Sequence, residues 1–180
     1  ALCITLCALC NPGDEVVTFV PFFPEYSVFA SQAGATLIPV KTEESSFKID
    51  LAALEGALTP ATKAVIINSP NNPSGVIYSE ASIKALCKLL AEHSKKTGSP
   101  VYLISDEPYR ELVYGGETVP YVMNYYADSI VCYSFSKSLS VPGERIGYIA
   151  VNGAMEGADE VYAAVCGAGR SLGYVCAPSL

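Results

Sequence analysis

The stretch Ser134-Phe-Ser-Lys-Ser-Leu-Ser-Val-Pro-Gly-Glu-Arg-Ile-Gly-Tyr148 joins two β-rich runs, Ser129–Ser134 and Arg145–Val151. Its shortness decides the fold. A parallel crossover takes a dozen or more residues, usually including a helix. The interval from Ser134 to Arg145 is too short for that, so the two strands are expected to run antiparallel where they pair. Upstream, apolar runs at Glu15–Val20, Thr36–Val40, Lys63–Asn68 and Val101–Ser105 read as strands. Between them fall helical segments: Pro24–Ala33, ending near Gly34; Asp50–Ala57, with Asp50 as its cap; and Ser79–Lys96, with Ile83, Leu86, Cys87 and Leu90 on one stripe. Ala1–Cys10 reads as an apolar helix stopped by Asn11-Pro12-Gly13-Asp14. Gly153–Val165 reads as a helix, and Ser171–Leu180 as the start of a linker. Alternating β and α with uninterrupted apolar strands predicts an α/β fold: a mostly parallel mixed sheet with one antiparallel strand and helices on both faces.

The 180 residues suffice for one domain with its own core. Hydrophobic residues make up 51% of the chain and charged ones only 16%, more apolar than a monomeric domain needs, which points to a subunit interface or a neighbouring segment. A net charge of −7 without a Lys/Arg cluster argues against nucleic acid as a partner. No apolar run reaches transmembrane length and no leader is visible, so no membrane partner is expected. Seven cysteines suit buried thiols in a reducing compartment better than a disulfide framework, and the expected location is cytoplasmic. Cys3, Cys7 and Cys10 read as one apolar helix face at i, i+4, i+7. A zinc site needs about four ligands, and His93 is the only histidine, so no metal is expected.

Ligands of open α/β sheets sit at the carboxyl ends of strands, and four such ends carry unusual residues. Lys63–Asn68 runs into Ser-Pro-Asn-Asn-Pro-Ser-Gly, Val101–Ser105 into Asp-Glu-Pro-Tyr, Ser129–Ser134 into Phe-Ser-Lys, and Glu15–Val20 into Pro-Phe-Phe-Pro-Glu-Tyr. Asp106 is costly to bury unless it meets a cation; its alternative reading is the N-cap of a helix over Glu107–Leu112. Asn72 sits where Pro73 and Gly75 set a turn, and the turn alone would explain it. Tyr109 offers a hydrogen bond or mere packing. Phe23 suits stacking on a flat ring, or a place in the core. Ser134 and Arg145 suit phosphate oxygens; a surface ion pair with Glu144 is the other reading for Arg145. Lys137, eight residues before Arg145, could form a Schiff base with a carbonyl cofactor.

Taken in order, Asn-Asn-Pro-Ser-Gly, Asp-Glu-Pro-Tyr and Ser-Phe-Ser-Lys with its following arginine resemble the fold-type I aminotransferases of class I/II, the aspartate aminotransferase-like group. The resemblance runs from Asn11-Pro-Gly-Asp-Glu-Val16 to the Gly-Tyr-Val-Cys-Ala-Pro-Ser tail. It implies pyridoxal 5′-phosphate as cofactor, with Lys137 as the Schiff-base lysine and Asp106 paired with the pyridine nitrogen. Tyr109 and Asn72 would bond the ring's phenolic oxygen, Ser134 and Arg145 would hold the phosphate, and Phe23 would stack on the ring, with Tyr26 the second choice. Lys137, Asp106 and Tyr109 would be catalytic in moving an amino group from an amino acid to a 2-oxo acid, in a homodimeric full-length protein.

Family members are longer. They carry a Gly-rich phosphate turn before the first helix and a small domain whose arginine grips the substrate carboxylate. Residues 1–180 are therefore expected to be a single large domain, cut at both ends, binding pyridoxal phosphate weakly or not at all and without turnover alone. A C–S lyase, decarboxylase or synthase would keep the same lysine and aspartate, and so would the sensor domain of a transcriptional regulator. A plain nucleotide binder would need a Gly-x-Gly-x-x-Gly or Walker-type loop, and neither is present.

Overall fold

Six strands, β1 (Glu15–Val20), β2 (Thr36–Lys41), β3 (Thr62–Asn68), β4 (Tyr102–Asp106), β5 (Ser129–Ser134) and β6 (Gly147–Val151), form one sheet in the order β2-β1-β3-β4-β5-β6. This arrangement comes from a computed structural model that describes residues 1–174. Strands β1 to β5 pair in parallel, and β6 returns antiparallel along β5, with Ser134 opposite Gly147 and Ile130 opposite Val151. The short connection through residues 135–146 thus imposes the reversal that its length requires.

Helices α1 (Leu2–Leu9), α2 (Glu25–Gln32), α3 (Leu51–Ala57), α4 (Glu80–Thr97), α5 (Phe135–Ser138) and α6 (Ala158–Ser171) complete the fold. The sheet is covered on both faces. Val17, Phe19, Val65, Ile67, Leu103 and Val131 pack against Leu54 of α3 and Ile83, Leu86 and Leu90 of α4. Their neighbours Val16, Ala64, Ile66, Ile104, Ile130 and Cys132 point the other way, toward Leu2, Leu6 and Leu9 of α1 and Tyr26 and Ala30 of α2. Alternation along each strand divides the apolar run between two cores, and that is why the central strands show no polar face. No helix among the described residues is long and apolar enough to cross a membrane.

Local signals set most boundaries. The Asp50 carboxylate accepts from the Ala53 amide at 2.9 Å, and Ser79 Oγ accepts from the Ser82 amide at 3.2 Å. Gly98, left-handed at φ 73°, closes α4.

Four expectations need correction. The final helix begins at Ala158 rather than Gly153, because the Asn152 side chain organises a turn first: its Nδ2 donates to the carbonyls of Met123 and Tyr126, and its Oδ1 accepts from the Ala154 amide. The same helix continues through Gly167 to Ser171, which the sequence had suggested as linker. Residues 172–174 follow it, and the rest of the proposed linker lies outside the described residues. Strand β6 starts two residues late, since Arg145 is left-handed at φ 55°. Finally, the buried face of α1 is Leu2, Thr5, Leu6 and Leu9. Cys3, Cys7 and Cys10 flank it as half-buried free thiols, Cys3 Sγ lying 3.3 Å from Gln32 Oε1.

Gly147 has no room for a side chain. A Cβ there would lie 2.2 Å from the Tyr133 carbonyl oxygen, a backbone atom that cannot turn aside. Gly147→Ala is expected to cost about 1–3 kcal/mol of stability by overpacking, read from chemical denaturation. An unchanged midpoint would show that β6 can slide away from β5.

Candidate functional site

The chain runs from β1 outward to β2 and then back to β3 on the other side, so the topological switch lies between β1 and β3. The carboxyl ends of β3, β4 and β5 point to the same edge. Asn68 lies opposite Asp106, and Asp106 opposite Cys132. At this edge opens a cleft of about 1220 Å³, and all seven residues expected at a site line it: Phe23, Asn72, Asp106, Tyr109, Ser134, Lys137 and Arg145. The first turn of α1 and the α6 residues Tyr162 and Arg170 line it as well.

Asp106 ends β4 and is followed by turns, not by a helix, so it is not an N-cap. Burial pushes its carboxyl up to about 6, while a hydrogen bond from Tyr26 pulls it down. That bond, Tyr26 Oη donating to Asp106 Oδ2, spans 2.6 Å. Tyr26 is 1% exposed, and its phenol is driven upward by burial first and by Asp106 second. Oδ1 of Asp106 has no hydrogen-bond partner among the described residues.

The neighbouring segments are held to this carboxylate. Asn68 Nδ2 donates to the Asp106 carbonyl at 2.8 Å, and its Oδ1 accepts from the Asn72 amide at 2.6 Å. A single side chain thus fixes the Asn-Asn-Pro-Ser-Gly turn against the end of β4. Asn71 shapes the rest of that turn by accepting from the amide and hydroxyl of Ser74. The Tyr109 hydroxyl is raised by burial and then by Asp106, with Asn72 beside it acting in the opposite sense. Phe23 meets Tyr26 edge-on, ring centroids 5.7 Å apart.

Lys137 sits in α5, one turn of helix whose N-cap is Ser134: Ser134 Oγ accepts from the Ser136 amide at 3.2 Å and donates to Ser136 Oγ at 2.8 Å. The turn is tied down from its other side, where Ser138 Oγ donates to Tyr133 Oη at 2.7 Å and Tyr133 donates to Glu111 at 2.8 Å. The ring of Tyr133 stacks on Tyr148 of β6 at 4.9 Å. Lys137 itself is exposed. Arg145 is exposed too; its Nη1 donates to the Pro142 carbonyl, and it makes no ion pair among the described residues, with Glu144 or any other acid.

Three residues were missed by sequence reasoning. Tyr26, the partner of Asp106, had been weighed only as a stacking ring. Asn68 carried a signal as a polar residue closing the apolar run of β3. Glu107, 1% exposed, forms a buried ion pair with Arg110 directly beneath the site; an i, i+3 acid and base in a loop look like ordinary surface charges.

The donor set fits an anionic, aromatic ligand with a basic ring nitrogen. A sunken carboxylate offers one oxygen to the cleft, aromatic rings and a phenol lie nearby, and a primary amine, two serine hydroxyls and a guanidinium free of carboxylates share the same wall. The fold by itself defines an α/β domain with its ligand edge at the strand ends. The comparisons are narrower. The family described as aminotransferase class I and II matches residues 1–172. The chain is 35% identical over 142 residues to the aspartate/prephenate aminotransferase of Thermus thermophilus, covering 78% of this chain and 35% of that protein. It is 39% identical over 145 residues to the aspartate aminotransferase of Thermotoga maritima, covering 79% and 37%. A solved amino transferase from Eubacterium rectale superposes with a TM-score of 0.96 at 55% identity, over 98% of this chain and 45% of that one. The chain belongs to the class I and II aminotransferase family, whose members depend on pyridoxal phosphate. It spans little more than a third of the length of these curated relatives.

Proposed function

We propose that this chain is the cofactor-binding large domain of a pyridoxal-phosphate-dependent transaminase, moving an amino group from an amino acid to a 2-oxo acid. The observation that carries this reading is the half-buried Asp106 carboxylate lining one cleft with Lys137. Asp106 would hold a proton on the ring nitrogen of the cofactor, Tyr109 and Asn72 would bond its phenolic oxygen, and Phe23 would cover its face. Ser134 and Arg145 would take the phosphate, with the first turn of α1 beside them supplying unpaired amides. Lys137 would anchor the cofactor covalently and then, as a free amine, move the proton at the substrate Cα. Bound there, pyridoxal phosphate supplies an electron sink for that carbon. The full-length protein is proposed to be a cytoplasmic homodimer, an arrangement to which the apolar composition of the chain adds support.

The test is covalent trapping. The chain is mixed with pyridoxal phosphate, reduced with borohydride, digested and mapped by mass spectrometry. A large excess of cofactor offsets the weak binding expected of residues 1–180, and the adduct that forms is expected on Lys137. A stable adduct confined to other lysines would overturn the assignment.

A further inference from the structure

We propose that Tyr26 is the positioning residue of the site: its phenol grips one oxygen of the Asp106 carboxylate and so presents the other, ionised, to the cleft. The claim rests on the cofactor reading only for its use; the pairing itself belongs to the unloaded chain.

The geometry is specific. Tyr26 lies in the first turns of α2 and Asp106 ends β4, eighty residues apart in sequence, yet Oη and Oδ2 are 2.6 Å apart. The phenol cannot swing away. Its ring is nearly parallel to Phe22, at 8° and 6.3 Å, and edge-on to Phe23, at 79° and 5.7 Å. Phe23 is the ring expected to cover the cofactor, so one aromatic cluster both covers the cleft and orients the carboxylate. With Oδ2 committed, only Oδ1 is left for a ligand.

The chemistry follows from what a phenol can do. It has one proton to give, and a carboxylate accepts it better than a carboxylic acid does, so the bond favours the ionised form. Burial works against ionisation. The other groups facing Asp106 do not settle the contest in the phenol's place. Glu107, on the next residue, disfavours the charge but is committed to Arg110 and Ser105. Tyr109 and the Cys132 thiol on β5 face it uncharged, both pushed up by burial and by Asp106 itself. Tyr26 is the one hydrogen-bond donor that reaches the carboxylate oxygens among the described residues.

Tyr26→Phe keeps the ring and removes the grip. The carboxyl of Asp106 can be followed in the unloaded chain by carbon-13 NMR of labelled aspartate, the signal being assigned with Asp106→Asn. In Tyr26→Phe its titration should move up by about one pH unit, and cofactor capture on Lys137 should weaken about twofold near pH 7, more at lower pH, and recover as pH is raised. A fluorinated tyrosine at position 26, a stronger donor that leaves the packing intact, should move the titration down. These opposite shifts would establish positioning. An Asp106 titration unmoved by either change, or moved the same way by both, would overturn it. Should Tyr26→Phe fail to fold, the direction of the fluorotyrosine shift decides alone. If trapping places a stable adduct on other lysines and none on Lys137 while the titration behaves as stated, the cofactor reading fails and the role of Tyr26 stands.

Discussion

Asp106→Asn is expected to make the chain more stable at pH 7.5 and to abolish its capture of pyridoxal phosphate. The folded carboxyl sits at about 6 against an ordinary 3.8, chiefly because burial disfavours its charge. Below pH 3.8 the folded and unfolded chains are both protonated there, and the group costs nothing. Between 3.8 and 6 the unfolded chain ionises while the folded one keeps its proton, so stability falls as pH rises. Above 6 the full cost is present, at most about 3 kcal/mol. Asparagine escapes that cost and still offers an oxygen to the Tyr26 phenol. Thermal unfolding should therefore show a higher Tm for the variant at pH 7.5 and little gain near pH 3.5. A neutral amide cannot balance a protonated ring nitrogen, so trapping on Lys137 should disappear at every pH. A variant that loses stability at pH 7.5, or still traps cofactor like the parent, would contradict this account. Stability given up for a charged group in a cleft is what a site, rather than a structural carboxylate, predicts.

Arg110→Met should be the most damaging single change outside the cleft. Glu107 is buried beneath the site, its Oε1 accepting from Ser105 Oγ at 2.8 Å and its Oε2 held by Arg110 Nε. The guanidinium also donates to the carbonyls of Val119 and Pro120 at 2.9 and 3.1 Å, and covers the ring of Tyr121. Removing it leaves a carboxylate with neither water nor counter-charge, a loss of about 3–5 kcal/mol. Most of that should return in the double variant Glu107→Gln, Arg110→Met, where no charge is stranded. Urea denaturation of the three proteins checks the pattern. A single variant within about 1 kcal/mol of the parent would mean that the loop over residues 107–121 opens to hydrate Glu107.

The strands were legible because they are buried on both faces and so read as unbroken apolar runs; Lys63–Asn68 and Val101–Ser105 lie within a residue or so of their final bounds. Reversal of β6 followed from the length of one connection, a constraint that needs no side-chain detail. Helix α6 was harder. Gly153, Gly157, Gly167 and Gly169 all look like breakers, yet the first two set the turn before the helix and Gly169 lies inside it, close to Ile4 of α1. The cleft residues were legible as a set, since all but Arg145 end or follow a strand and parallel strands of one sheet end together, while Arg145 precedes β6, whose start lies opposite the end of β5. What no sequence pattern carries is pairing across distance. The Tyr26–Asp106 bond, the Asn68 clamp on Asn72 and the Tyr133–Ser138 tie to the lysine turn depend on side chains meeting only after the sheet has formed.

Among the described residues, strand β6 lies at one end of the sheet and pairs with β5. The segment bearing Lys137 and Arg145 is the head of the antiparallel hairpin that β5 and β6 form. In residues 1–180 this hairpin is expected to open by a sub-global excursion while β1 to β4 stay closed, and amide exchange should show it as a cooperative block less protected than the centre of the sheet. The lysine and arginine then share one opening equilibrium, whereas Asp106, on an interior strand, does not follow them. On that expectation the site of residues 1–180 has two parts of unequal persistence: an acid fixed on the sheet and a basic wall that opens as one piece.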